Sequence, residues 1–322
     1  MPLARHFLFA LLLFLAPGWA AAQDYPSRPV RIIVPFAPGG ATDVPTRLIG
    51  PRMSESLGQP VVIENRTGAG GIIGIEAVAK SAPDGYTVLM ASNAEYAMHP
   101  AIYPKLPYIP LRDFIPISIV AEQPMVVAVG AGSPYASLAE LIAAAKAKPG
   151  AISYSTAGTG STSHVLTELF AAEAGIKLLH IPYKGGAPAS AAVASGEVSM
   201  SLIAMASVLQ FVKGGKAKAL GVMRSRRVAG YPDWPTVEEA GVRGVDDSIW
   251  VGLAVPTGVP RDIVARLAAE VARALRAGDV RERFAALGIE PVGSTPDEAL
   301  ARIQRESARY EKVIRAANIR AD

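Results

Sequence analysis

The sequence predicts an α/β fold built from two mostly parallel sheets with a cleft between them. Three observations carry this expectation. Strand-like and helix-like segments alternate along the chain, the pattern of a sheet covered by helices on both faces. The length of 322 residues exceeds one ordinary domain. Two glycine-rich loops run from a strand into a helix start, the place where open α/β sheets bind ligands.

Taken in order, Val30–Val34 is a short β-branched run closed by Pro35, Pro38, Gly39 and Gly40. An amphipathic stretch follows, with Leu48, Ile49, Met53 and Leu57 on one face and Gly58 as its stop. Pro51 inside it predicts a kink. Residues 61–63 form the next strand, then a glycine-rich loop over 68–74, a helix to Lys80, and a strand over 86–90 after the Pro83-Asp84-Gly85 turn. Two strands are expected at 114–120 and 125–129. Ser137 and Glu140 form a capping box for a helix over 137–148. Further strands are expected at 152–156, 178–181, 198–202, 217–222 and 249–255. Helices over 260–275 and 295–316 close the chain, the first with Pro260 in its opening turn and the second capped by Thr295 and Glu298.

The first residues lie outside this pattern. Arg5 precedes an apolar run over 7–15, Pro17 and Gly18 break it, and Ala20, Ala21 and Ala22 precede Gln23. This predicts a secretory signal peptide over 1–22, cleaved after Ala22. The run is shorter than the roughly 20 residues that cross a bilayer, as is the apolar stretch over 198–212 between Glu197 and Lys213. The remainder is expected to be exported and soluble.

Composition excludes several classes. No cysteine is present, which removes thiol nucleophiles, disulfides, iron–sulfur clusters and Cys-ligated zinc. The net charge is +4, and its basic residues do not cluster as a nucleic-acid-binding face requires. Arg224, Arg226 and Arg227 form the one short run, read as a solvated loop.

Two loops could carry chemistry. The first spans Val34, Pro35, Phe36, Ala37, Pro38, Gly39, Gly40, Ala41, Thr42 and Asp43; the second runs from Tyr154 through Thr156, Gly158, Thr159, Gly160 and Ser161 to His164. Glycines let the backbone approach a ligand, and free N–H groups at a helix start favour an anion. Facing each other, the two would grip a small molecule with carboxylates at its ends. Each could equally be a tight strand-to-helix turn.

Sharper motifs fail. The 68–74 run places Ile73 where a dinucleotide fingerprint needs glycine. Neither a phosphate-binding loop, a paired-His zinc motif nor a nucleophile elbow occurs. Beyond the signal region the histidines are His99, His164 and His180, and their spacing does not predict a metal site. Ser161 and His164 stand one helical turn apart and could imitate a nucleophile and its base. Helix capping and supporting hydrogen bonds fit them better. Trp234 and Trp250 read as packing residues.

The chain resembles the extracytoplasmic solute-binding receptors of tripartite tricarboxylate transporters, the Bug family. The resemblance covers essentially all of 23–322. It rests on 25–30, on Pro35-Phe36-Ala37-Pro38-Gly39-Gly40 with Asp43, on Val62-Ile63-Glu64-Asn65-Arg66 with the glycines after it, and on Ala82-Pro83-Asp84-Gly85-Tyr86. The loop from Ala157 to His164, Pro182-Tyr183-Lys184-Gly185-Gly186 and the segment 235–241 complete it.

This resemblance implies a two-lobed periplasmic binding protein of the type II, Venus-flytrap kind. Lobe 1 would comprise 23–124 and 247–322, and lobe 2 would comprise 125–246. It also implies a non-catalytic periplasmic receptor, monomeric and without cofactor, that closes on a small carboxylate and delivers it to the permease subunits of such a transporter. Ligand contacts would come from Phe36, Ala37, Gly40, Thr42, Asp43 and Ser92 on lobe 1. Lobe 2 would supply Thr156, Gly158, Thr159, Gly160, Ser161, His164 and Tyr183. Many relatives carry an Asp-Asn pair where this chain has Ile203 and Ala204. Ile203 therefore predicts an apolar wall, favouring a carboxylate without an amine. The alternatives are a secreted hydrolase using Ser161 and His164, and a sensor whose closure another protein reads. Pro45 and Pro51 have no functional account at this level.

Overall fold

A computed structural model describes residues 25–228 and 230–320; the expected signal peptide lies outside the described residues. Strand β1 (Val30–Val34) sits between β2 (Val61–Asn65) and β3 (Thr87–Ser92), parallel to both. Every residue of β3 is buried, as in a strand with both faces covered. On the other side of the molecule β5 (Ser153–Thr156) runs parallel to β6 (Leu179–Pro182) and β7 (Met200–Ala204).

The 17-residue strand β4 (Phe114–Gly130) joins the two halves. Through Pro124 it pairs with β9 (Ser248–Pro256), and from Met125 onward with β7 and β8 (Ala217–Val222). The short β10 (Glu290–Pro291) also joins β4. The sheets are therefore mixed and share a strand, where mostly parallel sheets were expected. Parallel pairing follows from strand–helix–strand units, and those lie within each half. The partners of β4 all run antiparallel to it.

The two strands expected at 114–120 and 125–129 are one. Proline cannot donate to a ladder and is tolerated at bulges and partner changes. Pro116 sits at a register shift against β9, and Pro124 is the last residue before the change of partner. The strand expected at 198–202 begins at Met200 instead, after the left-handed Gly196.

The helices that matter for the site are α1 (Asp43–Leu57), α2 (Ile72–Ala79), α3 (His99–Ile102) and α4 (Pro110–Asp113), followed by α5 (Leu138–Ala147) and α6 (Thr162–Ala174). After them come α7 (Gly186–Ser195), α8 (Met205–Lys213), α9 (Arg261–Arg276), α10 (Gly278–Ala286) and α11 (Pro296–Ala316). Pro45 falls in the first turn of α1, where its missing N–H would have no partner anyway. The helix continues through Pro51 to Leu57. Thr295 and Glu298 form the reciprocal capping box expected for α11. The box expected at α5 is only half made. Ser137 Oγ accepts the Glu140 N–H, but the Glu140 carboxylate takes the N–H of Ala136.

The crossings between halves are braced by charge. Glu122 accepts from Arg224 at 3.0 Å, Arg302 at 2.9 Å and the Ser248 hydroxyl at 2.6 Å. Arg227 pairs with Glu239. The arginine run is thus absorbed largely into ion pairs.

Candidate functional site

The first loop is stapled by its own acid. Asp43 is 1 % exposed. Its Oδ2 accepts the Gly39 N–H and Arg47 Nε, both at 2.8 Å, and its Oδ1 accepts Asn65 Nδ2 at 2.9 Å. The same Asn65 amide reaches the Phe36 carbonyl at 2.8 Å. With its carboxylate consumed inward, Asp43 shapes the loop and adds no free charge to the cleft.

The second loop is held by hydroxyls. Ser161 caps α6: its Oγ accepts the His164 N–H at 3.4 Å and donates to the Gly158 carbonyl at 2.6 Å. Ser163 Oγ accepts the Ala157 N–H at 2.9 Å. His164 Nδ1 accepts the Gly160 N–H at 3.1 Å. The His164 ring stacks on His180 at 4.1 Å, and His180 Nε2 meets Thr156 Oγ1 at 2.7 Å. Burial drives His164 down to about 3, with the neighbouring His180 adding to the effect, and burial drives His180 to about 4. Both are neutral at pH 7. The ring nitrogen of His164 nearest the loop already holds a backbone proton donor, so no serine–histidine base pair exists there.

The loops meet across the lobes. Ser92 Oγ lies 3.0 Å from Thr162 Oγ1, which donates to Asn93 Oδ1 at 2.8 Å. The Ala37 N–H donates to the Lys184 carbonyl at 2.9 Å, and the Tyr103 hydroxyl to the Thr159 carbonyl at 2.9 Å. Gly70, at φ 62, faces the Thr159 carbonyl so closely that a Cβ would collide with it. The lobes are closed on one another.

Between them lies a cavity of about 30 Å³, room for roughly two water molecules. The starts of four helices reach it, with Thr42 before α1, Thr162 and Ser163 in α6, Gly186 opening α7 and Ser207 in the first turn of α8. Helix starts carry unpaired N–H groups and the positive end of the dipole. No charged side chain lines the cavity among the described residues; Phe36, Met125, Ile203 and Ile249 supply an apolar wall.

Of the residues nominated from sequence, Phe36, Gly40, Thr42, Ser92, Ser161 and Ile203 line this cavity. Ala37, Thr159 and Gly158 stand at the contact between lobes. Thr156, Gly160 and His164 hold the second loop from behind, and Asp43 does the same for the first. The Tyr183 hydroxyl points to Glu197 at 2.6 Å. Sequence reasoning did not nominate Met125, Thr162, Ser163, Gly186, Ser207 or Ile249, which also line the cavity. Ser207 is the most telling, because its buried Oγ has no partner. The Met205–Lys213 helix start carries no glycine-rich signal, so nothing local marked it.

Two lobes joined by a crossing strand, with four helix starts lining the cavity between them, make the two-lobed fold of periplasmic binding proteins. The model of the tripartite tricarboxylate transporter family receptors matches residues 46–319, and the chain belongs to that family. It is 40 % identical over 296 residues to the protein BugT of Bordetella pertussis, covering 92 % of this chain and 91 % of BugT. The structure of R. palustris Rpa4515 with adipate superposes with a TM-score of 0.89 at 35 % identity, covering 92 % of this chain and 99 % of the other. MatC (Rpa3494) from Rhodopseudomonas palustris with bound malate gives 0.87 at 35 % identity, covering 90 % and 100 %. No helix among the described residues is long and apolar enough to cross a membrane.

Proposed function

We propose that this protein captures a small carboxylate in the periplasm and delivers it to the permease subunits of a tripartite tricarboxylate-type transporter. The observation that carries the reading is the convergence of four helix starts on one uncharged cavity. Such a site holds an anion through backbone donors without a fixed cation. Relatives of this fold hold adipate and malate.

The moving parts are lobe 1, residues 23–124 with 247–322, and lobe 2, residues 125–246. The change of partner along β4 between Pro124 and Met125 supports that division. The ligand is gripped by the α1 start and Ser92 from one side, and by Ser161, Thr162 and Ser207 from the other. Contacts complete only in the closed state shift the population toward closure. Ile203, Met125 and Ile249 favour a carboxylate without an amine. The protein works as a monomer, and it works without turnover, with Ser161 and His164 spent on capping and loop support.

A thermal-shift panel of mono-, di- and tricarboxylates, amino acids and aromatic acids tests this. A ligand at 1,000 times its Kd adds about 4 kcal/mol of stability. One carboxylate that raises Tm and is recovered unchanged supports a receptor. A flat panel, with no acid released from the denatured protein, overturns it.

A further inference from the structure

Behind the lobe 1 wall of the cavity lies a carboxyl group the cavity itself does not touch. Glu95 is 1 % exposed, in the helical turn Ala94–Met98 that follows β3. Its Oε2 accepts from the Ser92 N–H at 2.6 Å and the Ser92 hydroxyl at 2.7 Å, while Oε1 has no partner. Its one ionic neighbour among the described residues is His99, equally buried, whose unpartnered Nε2 lies 3.9 Å from Oε1. His99 Nδ1 meets the Tyr108 hydroxyl at 2.6 Å, and that hydroxyl reaches the Glu95 carbonyl at 3.4 Å. The remaining titratable groups around it are phenols. Tyr96 lies on the same turn and Tyr103 follows α3. From α11, Tyr310 reaches Asn93 at 3.4 Å and is itself bonded to Asp247. From α6 across the cleft comes the neutral Thr162.

Burial lifts Glu95 to about 7 against the pull of its Ser92 bonds. Burial also drives His99 to about 3, which the Gly160 backbone only partly offsets. The proton of this pair therefore rests on Glu95. Ser92 has a single hydroxyl proton and lines the cavity. An ionised Glu95 takes that proton in a hydrogen bond, leaving lone pairs and a negative charge toward the cleft. A neutral Glu95 donates its own O–H to Ser92 Oγ, and the freed Ser92 proton goes to Thr162 Oγ1, 3.0 Å away with its own proton on Asn93, or to a stronger acceptor bound in the cavity.

We propose that Glu95 couples ligand capture to protonation: a carboxylate bound against Ser92 draws one proton from solvent onto Glu95, which frees the Ser92 hydroxyl to donate to it. This rests on the receptor reading above. The coupling is reciprocal, so the ligand raises the proton affinity of Glu95 by the same factor that protonation raises ligand affinity.

Titration calorimetry with succinate, adipate, malate and benzoate, in two buffers of different ionisation enthalpy from about pH 6 to about pH 8.5, tests it. Proton uptake should approach one per ligand at the alkaline end, with affinity falling up to about tenfold per pH unit there. Glu95→Gln should bind without uptake and with flat affinity. Ser92→Ala, a smaller change, should weaken binding more at about pH 6 than at about pH 8.5. Binding without uptake, or uptake that persists in Glu95→Gln, overturns the coupling and leaves the receptor standing. If neither these four acids nor any of the wider thermal-shift panel binds, and no acid is released from the denatured protein, the receptor reading falls and the coupling with it.

Discussion

Ser92 at the end of β3 and Thr162 at the first residue of α6 touch through their hydroxyls, 3.0 Å apart, although 70 positions separate them. Thr162 also donates to Asn93. One threonine thus ties the second loop to the consecutive residues Ser92 and Asn93, beside the cavity.

Thr162→Val keeps the shape and removes both bonds. A buried acceptor left without its donor costs about 1–3 kcal/mol. The variant should close less readily, with Kd for a bound carboxylate raised about tenfold or more and the free protein's Tm lowered. Calorimetry and a melting curve together check this.

Gly70→Ala attacks closure from outside the cavity. Its φ of 62 and the facing Thr159 carbonyl leave no room for a Cβ. A left-handed alanine alone costs about 1–2 kcal/mol, a strain present whether the lobes are open or shut. The clash with the Thr159 carbonyl exists only when they are shut. Small-angle scattering should show a more open protein, and affinity should fall by more than the stability loss accounts for.

The apolar wall makes a selectivity prediction. An ammonium placed beside Ile203 finds no carboxylate, since no charged side chain lines the cavity among the described residues, and an unpaired buried charge is costly. Succinate should therefore compete better than aspartate by tenfold or more. Equal competition in a displacement assay would remove Ile203 as a selector.

Ser161→Ala separates capping from catalysis. Loss of an N-cap costs about 1 kcal/mol, so Tm should drop modestly. Hydrolysis of test esters should stay at the background rate of the unaltered protein; a background abolished by the substitution would revive the hydrolase reading.

The stacked histidines set an acid limit. His164 and His180 are held near 3 and 4, below their unfolded value of roughly 6.5. Below pH 6.5 the unfolded chain binds more protons than the folded one, so stability falls as pH drops toward 4. His180→Gln should lose less stability than the unaltered protein between about pH 7.5 and about pH 5, measured by urea unfolding.

Short-range chemistry was readable from the residues themselves. The Ser161 cap, the Thr295–Glu298 box and the Asp43–Gly39 staple each depend on groups within four residues of one another, so local spacing carries the information. The break expected between 120 and 125 is, in three dimensions, a single strand changing partners at Pro124.

The sequence by itself determined that strands and helices alternate, where α6 and α11 begin, and that cysteine chemistry is absent. Tertiary structure alone decided that β4 crosses both lobes, that Ser207 and Ile249 face the same cavity as Phe36, and that Glu95 is sealed behind Ser92. The physical reason is range. A helix start becomes an anion site only when other helix starts point at it. A glutamate is pushed up toward neutral pH only when distant segments, here α3, α6 and α11, have excluded its water. Neither condition leaves a mark on neighbouring residues.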